Sequence, residues 1–207
     1  MSESDFIRRK ENAETGDAQA QYMFGFSYEE GWDVLEDQME AAKWYLKAAD
    51  QGHAKAQASL GQMYCDGRGV LQHHAEAVRW FRKAADQGYA HAQVQLGHMY
   101  RGGMGVLQDH AEAVRWYRKA LELYRMKADQ GDADAQWHVG FMYYGGLGVP
   151  QDNVEAYAWI NISAMSKEQH RRYRDRIELT PEEKAQAQQR SMELFNEIEK
   201  NKKKAGK

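Results

Sequence analysis

Eight histidines and a single cysteine, Cys65, are the side chains best suited to metal binding or nucleophilic catalysis. His91 and His98 lie seven residues apart, about two helical turns, too far for the i, i+4 pairing of a helical zinc pair. His73 and His74 are adjacent and point in different directions. A nucleophilic cysteine needs a lowered pKa and a positioned base, and the sequence indicates neither for Cys65. We expect no metal, no cofactor and no catalytic residue.

Two glycine-rich stretches, at residues 102–105 and 145–148, have the composition of a phosphate-binding loop. Neither follows a predicted strand, and neither is followed by the Gly-Lys-Ser/Thr of such loops. Because both recur at a fixed spacing, we interpret them as turns between helices.

Composition excludes several classes of protein. The 207 residues suit one or two domains, and no run of eighteen apolar residues could span a bilayer. The first fourteen residues lack the apolar stretch of a signal peptide, so a cytoplasmic location is expected. The net charge of −3 does not favour nucleic-acid binding, although it conceals −7 in residues 1–51 and +4 in residues 163–207.

An internal repeat organises most of the chain. A Gly-x-Ala-x-Ala-Gln pattern starts at Gly16, Gly52, Gly88 and Gly131, which gives two spacings of 36 residues and one of 43. Each unit predicts two helices. The first helix carries an apolar-Gly pair with an aromatic residue three positions later. The second carries Ala-x-x-Trp followed by an aromatic residue, except in the fourth unit, where Ile160 follows Trp159. A small glycine lets the neighbouring helix approach while the aromatic ring fills the gap.

These motifs resemble the Sel-one-like repeat (SLR) family, a relative of the tetratricopeptide repeats, over about three quarters of the chain. Gln21, Gln57, Gln93 and Gln136 stand where a tetratricopeptide unit would carry Trp. The resemblance implies an all-α, right-handed α-α solenoid of helix-turn-helix repeats that acts as an adaptor. The residues support stacking independently, since each helix pair has a face that it cannot bury alone.

The predicted boundaries follow the repeat. We expect an N-terminal helical lead-in (1–16), four repeats (17–52, 53–88, 89–131 and 132–167) and C-terminal capping helices with a basic tail (168–207). Thr180 followed by Pro181 and two acids predicts the start of the last helix. We expect Ala185, Met192, Leu194, Phe195 and Ile198 of this helix to cover the last repeat.

The resemblance to tetratricopeptide solenoids predicts that the first helices line a concave groove. Its ends would be aromatic, and its middle small and polar. Aromatic and arginine side chains dominate binding hot spots, although these rings could instead pack on neighbouring helices or on the C-terminal cap. The candidate partner-binding residues are Tyr22, Phe26, Gln62, His98, Arg101, Trp137, Phe141 and Tyr144.

Two irregularities interrupt the repeat. The first turn reads Gly-Trp-Asp-Val, which puts Trp32 on an exposed loop beside acidic residues, either as a binding surface or as the cap of an end repeat. The seven-residue insertion at 121–127 should lengthen a helix by about 10 Å. Leu121 and Tyr124 would then need the C-terminal segment, a second copy of the chain or a ligand, which allows a monomer or a homodimer.

The sequence thus favours a non-enzymatic, bacterial scaffold or adaptor that binds a protein or peptide partner. One alternative is an immunity-type protein that sequesters a cognate toxin, because the acidic end would suit a basic target. A disfavoured alternative is a small-molecule hydrolase, which would require a convergent polar pocket. The middle of the predicted groove, with Gln62, His91, His98 and Arg101, is the only place to look for one.

Overall fold

The computed structural model describes residues 3–205, which form helices joined by short turns and contain no strand. The helices are α1 (Glu3–Glu14), α2 (Ala18–Glu30), α3 (Gln38–Asp50), α4 (Ala54–Asp66), α5 (His74–Asp86), α6 (Ala90–Gly102), α7 (His110–Ala128), α8 (Ala133–Tyr144), α9 (Asn153–Ser166), α10 (Arg171–Arg174) and α11 (Pro181–Ala205). A 3-10 turn at Glu168–His170 precedes α10. The predicted all-α class of paired helices is confirmed.

Described residues up to Ala113 form a first compact unit. Within it α2 packs on α3 and α4 on α5, while α3–α4 and α5–α6 contacts join successive repeats. A Cβ atom added to Gly61 would lie 2.8 Å from Cδ1 of Phe81, so the paired helices approach as closely as the repeat predicts. Alanines and the rings of Tyr45 and Trp80 fill the interior.

The starts of α2, α3, α4 and α5 are fixed by side-chain caps. The carboxylate of Asp37 accepts hydrogen bonds from the amides of Met39 and Glu40, at 2.9 and 3.0 Å. His53 and His73 occupy the same position in later helices, where each ring Nδ1 accepts from the amide three residues on. Two of the eight histidines are therefore used as caps that satisfy free helix amides.

Residues 114–205 form a second compact unit, which comprises most of α7 together with α8 to α11. Helix α9 is its centre, since α8, α10 and α11 all pack against it. Trp159 and Ile160 of α9 are buried. The predicted start of α11 is confirmed: the Thr180 amide donates to the Glu183 carboxylate, and the Glu183 amide donates to the Thr180 hydroxyl.

The insertion lengthens α7 to 19 residues, against 13 in α3 and α5. Leu121 and Tyr124 are each only 8% exposed. The expectation that Tyr124 lacks a partner within the repeats is wrong, because its ring stacks on His138 of α8 with centroids 4.3 Å apart. The lengthened helix thus contacts the next repeat through Tyr124.

The expected buried face of α11 also needs correction. Leu194 and Ile198 are buried as predicted, and they share a face with buried Ala187 and Ser191. Ala185, Met192 and Phe195 are exposed instead. Spacings of four, three and four residues make one helical stripe, and Met192 and Phe195 lie beside that stripe.

Candidate functional site

Four aromatic side chains of the second unit form the candidate site, here called the aromatic face: Trp137, Phe141, Tyr144 and Tyr173. Helix α8 carries the first three at spacings of four and three residues, which places them on one side of the helix. Trp137 stacks on Phe141 at 5.5 Å between centroids, and Tyr173 meets Trp137 edge-on at 5.4 Å. Phe141, Tyr144 and Tyr173 remain 41–46% exposed.

The aromatic face opens onto a cavity of about 270 Å³. Buried Ile160 and Ile177 supply apolar wall, and Arg176 supplies the charged group at its edge. A concave apolar site with a few polar groups is the usual form of a binding site in proteins. The predicted residues Trp137, Phe141 and Tyr144 are brought together here.

The C-terminal segment contributes the rest of the site. Trp137 is half-buried, because Tyr173 and His170 from this segment both contact its ring, the latter at 5.8 Å. A second cavity of about 380 Å³ shares Trp137 and Tyr173 and is lined by Asp134, His138, Gln169, His170 and Arg172. The cap therefore covers Trp137 in part and extends the aromatic face with polar groups.

Sequence reasoning missed Tyr173, Arg172 and Arg176. All three lie in the segment between α9 and α11, which has no repeat pattern to align. The one available signal was local: four arginines and a tyrosine fall within residues 171–176.

A serine, a histidine and an aspartate also meet beside the second cavity, which the sequence did not indicate. His170 Nδ1 lies within hydrogen-bond distance of Ser163 Oγ, and His170 Nε2 lies 3.9 Å from Asp134 Oδ1. Ser163 is fully buried and its hydroxyl donates to the Ala133 carbonyl. A substrate cannot reach that oxygen in this arrangement, so the contacts fasten the 3-10 turn to α8 and α9. Burial lowers the pKa of His170, and the nearby Asp134 partly opposes this effect.

In the first unit, Tyr22 and Phe26 are half-buried by other rings. Tyr22 stacks on His53 at 4.8 Å, and Phe26 meets Trp32 edge-on at 5.0 Å. Burial raises the pKa of the Tyr22 hydroxyl. Trp32 is 56% exposed, as the sequence predicted for this loop.

The polar residues predicted for the middle of the groove contact neighbours on their own helices. Gln62 donates to the Asp66 carboxylate at 2.9 Å, and Arg101 lies 3.3 Å from His98 Nδ1. Burial lowers the pKa of His98 and of His91. Burial also raises the pKa of the Cys65 thiol, the opposite of what an activated nucleophile requires. Within residues 3–205, no three metal-ligating side chains come together.

The paired helices and the periodic glycines define a helical-repeat protein, and its second unit carries an exposed aromatic surface. The family model for the Sel1 repeat matches residues 18–53, 54–89, 90–132 and 133–167. The chain belongs to the Sel1 repeat family.

The chain is similar to several solved structures, of which the first supports the same family. A Sel1 repeat protein from Oxalobacter formigenes is 31% identical over 90% of this chain and 74% of its own, with a TM-score of 0.53. A protective antigen present in uropathogenic Escherichia coli strains, which displays an SLR fold, is 29% identical over 93% of this chain and 48% of its own, with a TM-score of 0.43. A putative Sel1 repeat protein from Klebsiella pneumoniae is 19% identical over 82% and 97%, with a TM-score of 0.49. The comparison with curated proteins found no match.

Sel1 repeat proteins generally act as scaffolds for protein interactions. Across residues 3–205, none of the helices has the length and apolar character needed to cross a membrane.

Proposed function

We propose that this protein is a non-enzymatic bacterial adaptor that binds a partner protein or peptide through the aromatic face of its second unit. The observation that carries the proposal is the exposure of Phe141, Tyr144 and Tyr173 around Trp137, beside a cavity of about 270 Å³. Large aromatic side chains in a pocket supply much of the binding energy at protein interfaces. The family's general role as an interaction scaffold supports the same conclusion.

The test removes the exposed rings and leaves the repeat core intact. A tagged full-length chain and its Phe141→Ala, Tyr144→Ala variant would be purified from native cells, and the captured proteins quantified by mass spectrometry. We expect the variant to lose the specific partner while its circular dichroism spectrum and melting temperature stay close to wild type, because both rings are more than 40% exposed.

A Leu35→Ala, Leu71→Ala variant is the matched control. Both leucines are about 90% exposed and lie in the first unit, so the control removes exposed apolar area elsewhere. Retention of the same partners at the same abundance by both variants would overturn the proposal.

A second candidate function is the sequestration of a basic protein such as a toxin. Residues 1–51 have a net charge of −7, and exposed Trp32 lies among the exposed acids Glu30, Asp33 and Glu36. A partner that is lost on Trp32→Ala substitution but retained by the aromatic-face variant would favour this function.

A further inference from the structure

We infer that the partner of the aromatic face is an acidic segment with a neutral, apolar anchor residue. This inference rests on the proposed function and adds the chemistry of the ligand. Its evidence is the charge pattern along the rim of the two cavities.

The arginines of the C-terminal segment divide into two kinds. Arg171 pairs with Glu168 at 3.0 Å and Arg174 with Asp175 at 2.7 Å. Arg172 and Arg176 are exposed and have neither an ion pair nor a side-chain hydrogen bond to any described residue between 3 and 205. The two arginines without partners are the two that line the cavities.

The carboxylate at this rim is already neutralised. Asp134 lines the second cavity, and its carboxylate forms an ion pair with Lys167. Lys167 thus offsets Asp134, and the charges of Arg172 and Arg176 are left to face the solvent. An arginine guanidinium presents paired N–H donors that match the geometry of a carboxylate, so a partner's acidic side chains fit this rim.

The apolar part of the site determines which type of partner side chain can bind as the anchor residue. Aromatic rings can attract cations through their negatively charged faces, but Arg172 and Arg176 at the rim would repel a cation. The wall of Trp137, Phe141 and Ile160 favours a neutral apolar or aromatic side chain. The apolar anchor residue and the acidic residues of the partner must therefore lie close together in one segment.

The experiment measures the binding of three fluorescent peptides to the full-length chain by anisotropy. The first has one phenylalanine between two pairs of glutamates, the second has lysines in place of the glutamates, and the third has alanine in place of the phenylalanine. We expect the first to bind at least about tenfold more tightly than either other peptide, and its affinity to fall as salt rises.

Two charge variants then locate the interaction. Arg172→Glu, Arg176→Glu should weaken binding of the glutamate peptide at least about tenfold and improve binding of the lysine peptide. Arg171→Glu is the matched control, since this arginine is already paired and lines neither cavity. Its effect should be less than about threefold.

Each result separates the two proposals. Equal binding of the glutamate and lysine peptides, or no binding of the glutamate peptide, overturns the acidic-segment inference. The proposed function is then still decided by the capture of a partner from cells. Loss of binding in the Phe141→Ala, Tyr144→Ala variant but not in the double arginine variant likewise overturns only the inference. Undiminished peptide binding by the aromatic-face variant would also overturn the inference, because the peptide would then bind elsewhere, and capture from cells would still decide the proposed function.

Discussion

At the scale of single residues, the turns within the second, third and fourth repeats end on a glycine that cannot be replaced freely. At Gly69, Gly105 and Gly148, the backbone of a neighbouring helix lies too close for an added Cβ atom. Gly69 has a φ of 66°, and a Cβ atom there would overlap the carbonyl group of Gln38 in the preceding repeat. The first repeat carries Asp33 at this position, also with positive φ (62°). Asp33 lies in the first of the four matched repeats, residues 18–53, so a side chain occupies there the position that Gly69 holds in the second repeat.

The Gly69→Ala substitution should therefore reduce the free energy of unfolding by at least about 3 kcal/mol, combining left-handed strain with overlap. Gly88→Ala is the matched control, because Gly88 has a φ of 79° and nothing within 4 Å of an added Cβ. It should cost only about 1–2 kcal/mol. Urea denaturation measures the free energy of unfolding of both variants. Equal losses of stability would show that the backbone at Gly69 can shift away from Gln38.

At the scale of helices, the repeated glutamine joins each repeat to the one before it. Gln57 is 4% exposed, and its Nε2 donates to the Ala49 carbonyl at the end of α3. Its Oε1 accepts from Gln87 Nε2 at 2.7 Å. Gln21 and Gln93 make the same bond to the carbonyls of Ala13 and Ala85. The sequence showed that this position differs from a tetratricopeptide unit, but only the structure shows the bonded carbonyl.

Gln57→Ala should lower the free energy of unfolding by about 1–3 kcal/mol, because the buried Ala49 carbonyl loses its side-chain donor. Gln62→Ala provides the control, since Gln62 bonds to Asp66 within α4 on an exposed surface. We expect it to change stability by less than about 0.5 kcal/mol. Chemical denaturation of the two variants would contradict this account if their midpoints coincided.

Helix α11 shows where prediction from sequence fails. Its start was predictable because the Thr180 and Glu183 capping box is local. Its buried face was not, because Leu194 and Phe195 are adjacent apolar residues outside the repeat. Packing against α9 decides between them, and it buries Leu194 to 1% exposure while leaving Phe195 42% exposed.

The two positions make a matched test of that packing. Leu194→Ala should destabilise the protein by about 2–5 kcal/mol, as expected for a large side chain removed from a packed core. Phe195→Ala should cost less than about 1 kcal/mol, because much of the ring already contacts solvent. Thermal unfolding monitored by circular dichroism gives the loss of stability for each variant. A larger loss for Phe195→Ala than for Leu194→Ala would support the burial of Phe195 that the sequence predicts.

At the scale of the whole molecule, the repeat predicted which residues of α8 share the aromatic face, since Trp137, Phe141 and Tyr144 occupy aligned positions. It could not predict Tyr173, Arg172 and Arg176. Those residues reach the site because the chain turns back after α9, where buried Ser163 and His170 contact each other. Long-range contacts of this kind leave no periodic signal in one sequence.

One buried and three half-buried histidines predict how the stability of the molecule depends on pH. Burial is the largest cause of the lowered pKa of His53, His91, His98 and His170. A lowered pKa in the folded state means that the unfolded chain binds protons first as pH falls below about 6.5. Stability is therefore full above that pH and declines below it.

The carboxylate of Glu183 acts in a separate, more acidic window. Hydrogen bonds with the Thr180 amide and hydroxyl lower its pKa in the folded state, so its contribution to stability is lost as pH falls from the ordinary glutamate pKa through this lowered value. Between pH 7 and 5.5 the melting temperature should consequently report on the histidines. We expect it to fall continuously over this interval at constant ionic strength.

His170→Asn should make that fall shallower, because it removes one buried group that the unfolded state protonates preferentially. His110→Asn is the matched control, since His110 is exposed at the first residue of α7. It should leave the slope of melting temperature against pH unchanged. A wild-type melting temperature independent of pH between 7 and 5.5, or an equal change of slope in both variants, would show that burial of these histidines does not control the acid sensitivity of the fold.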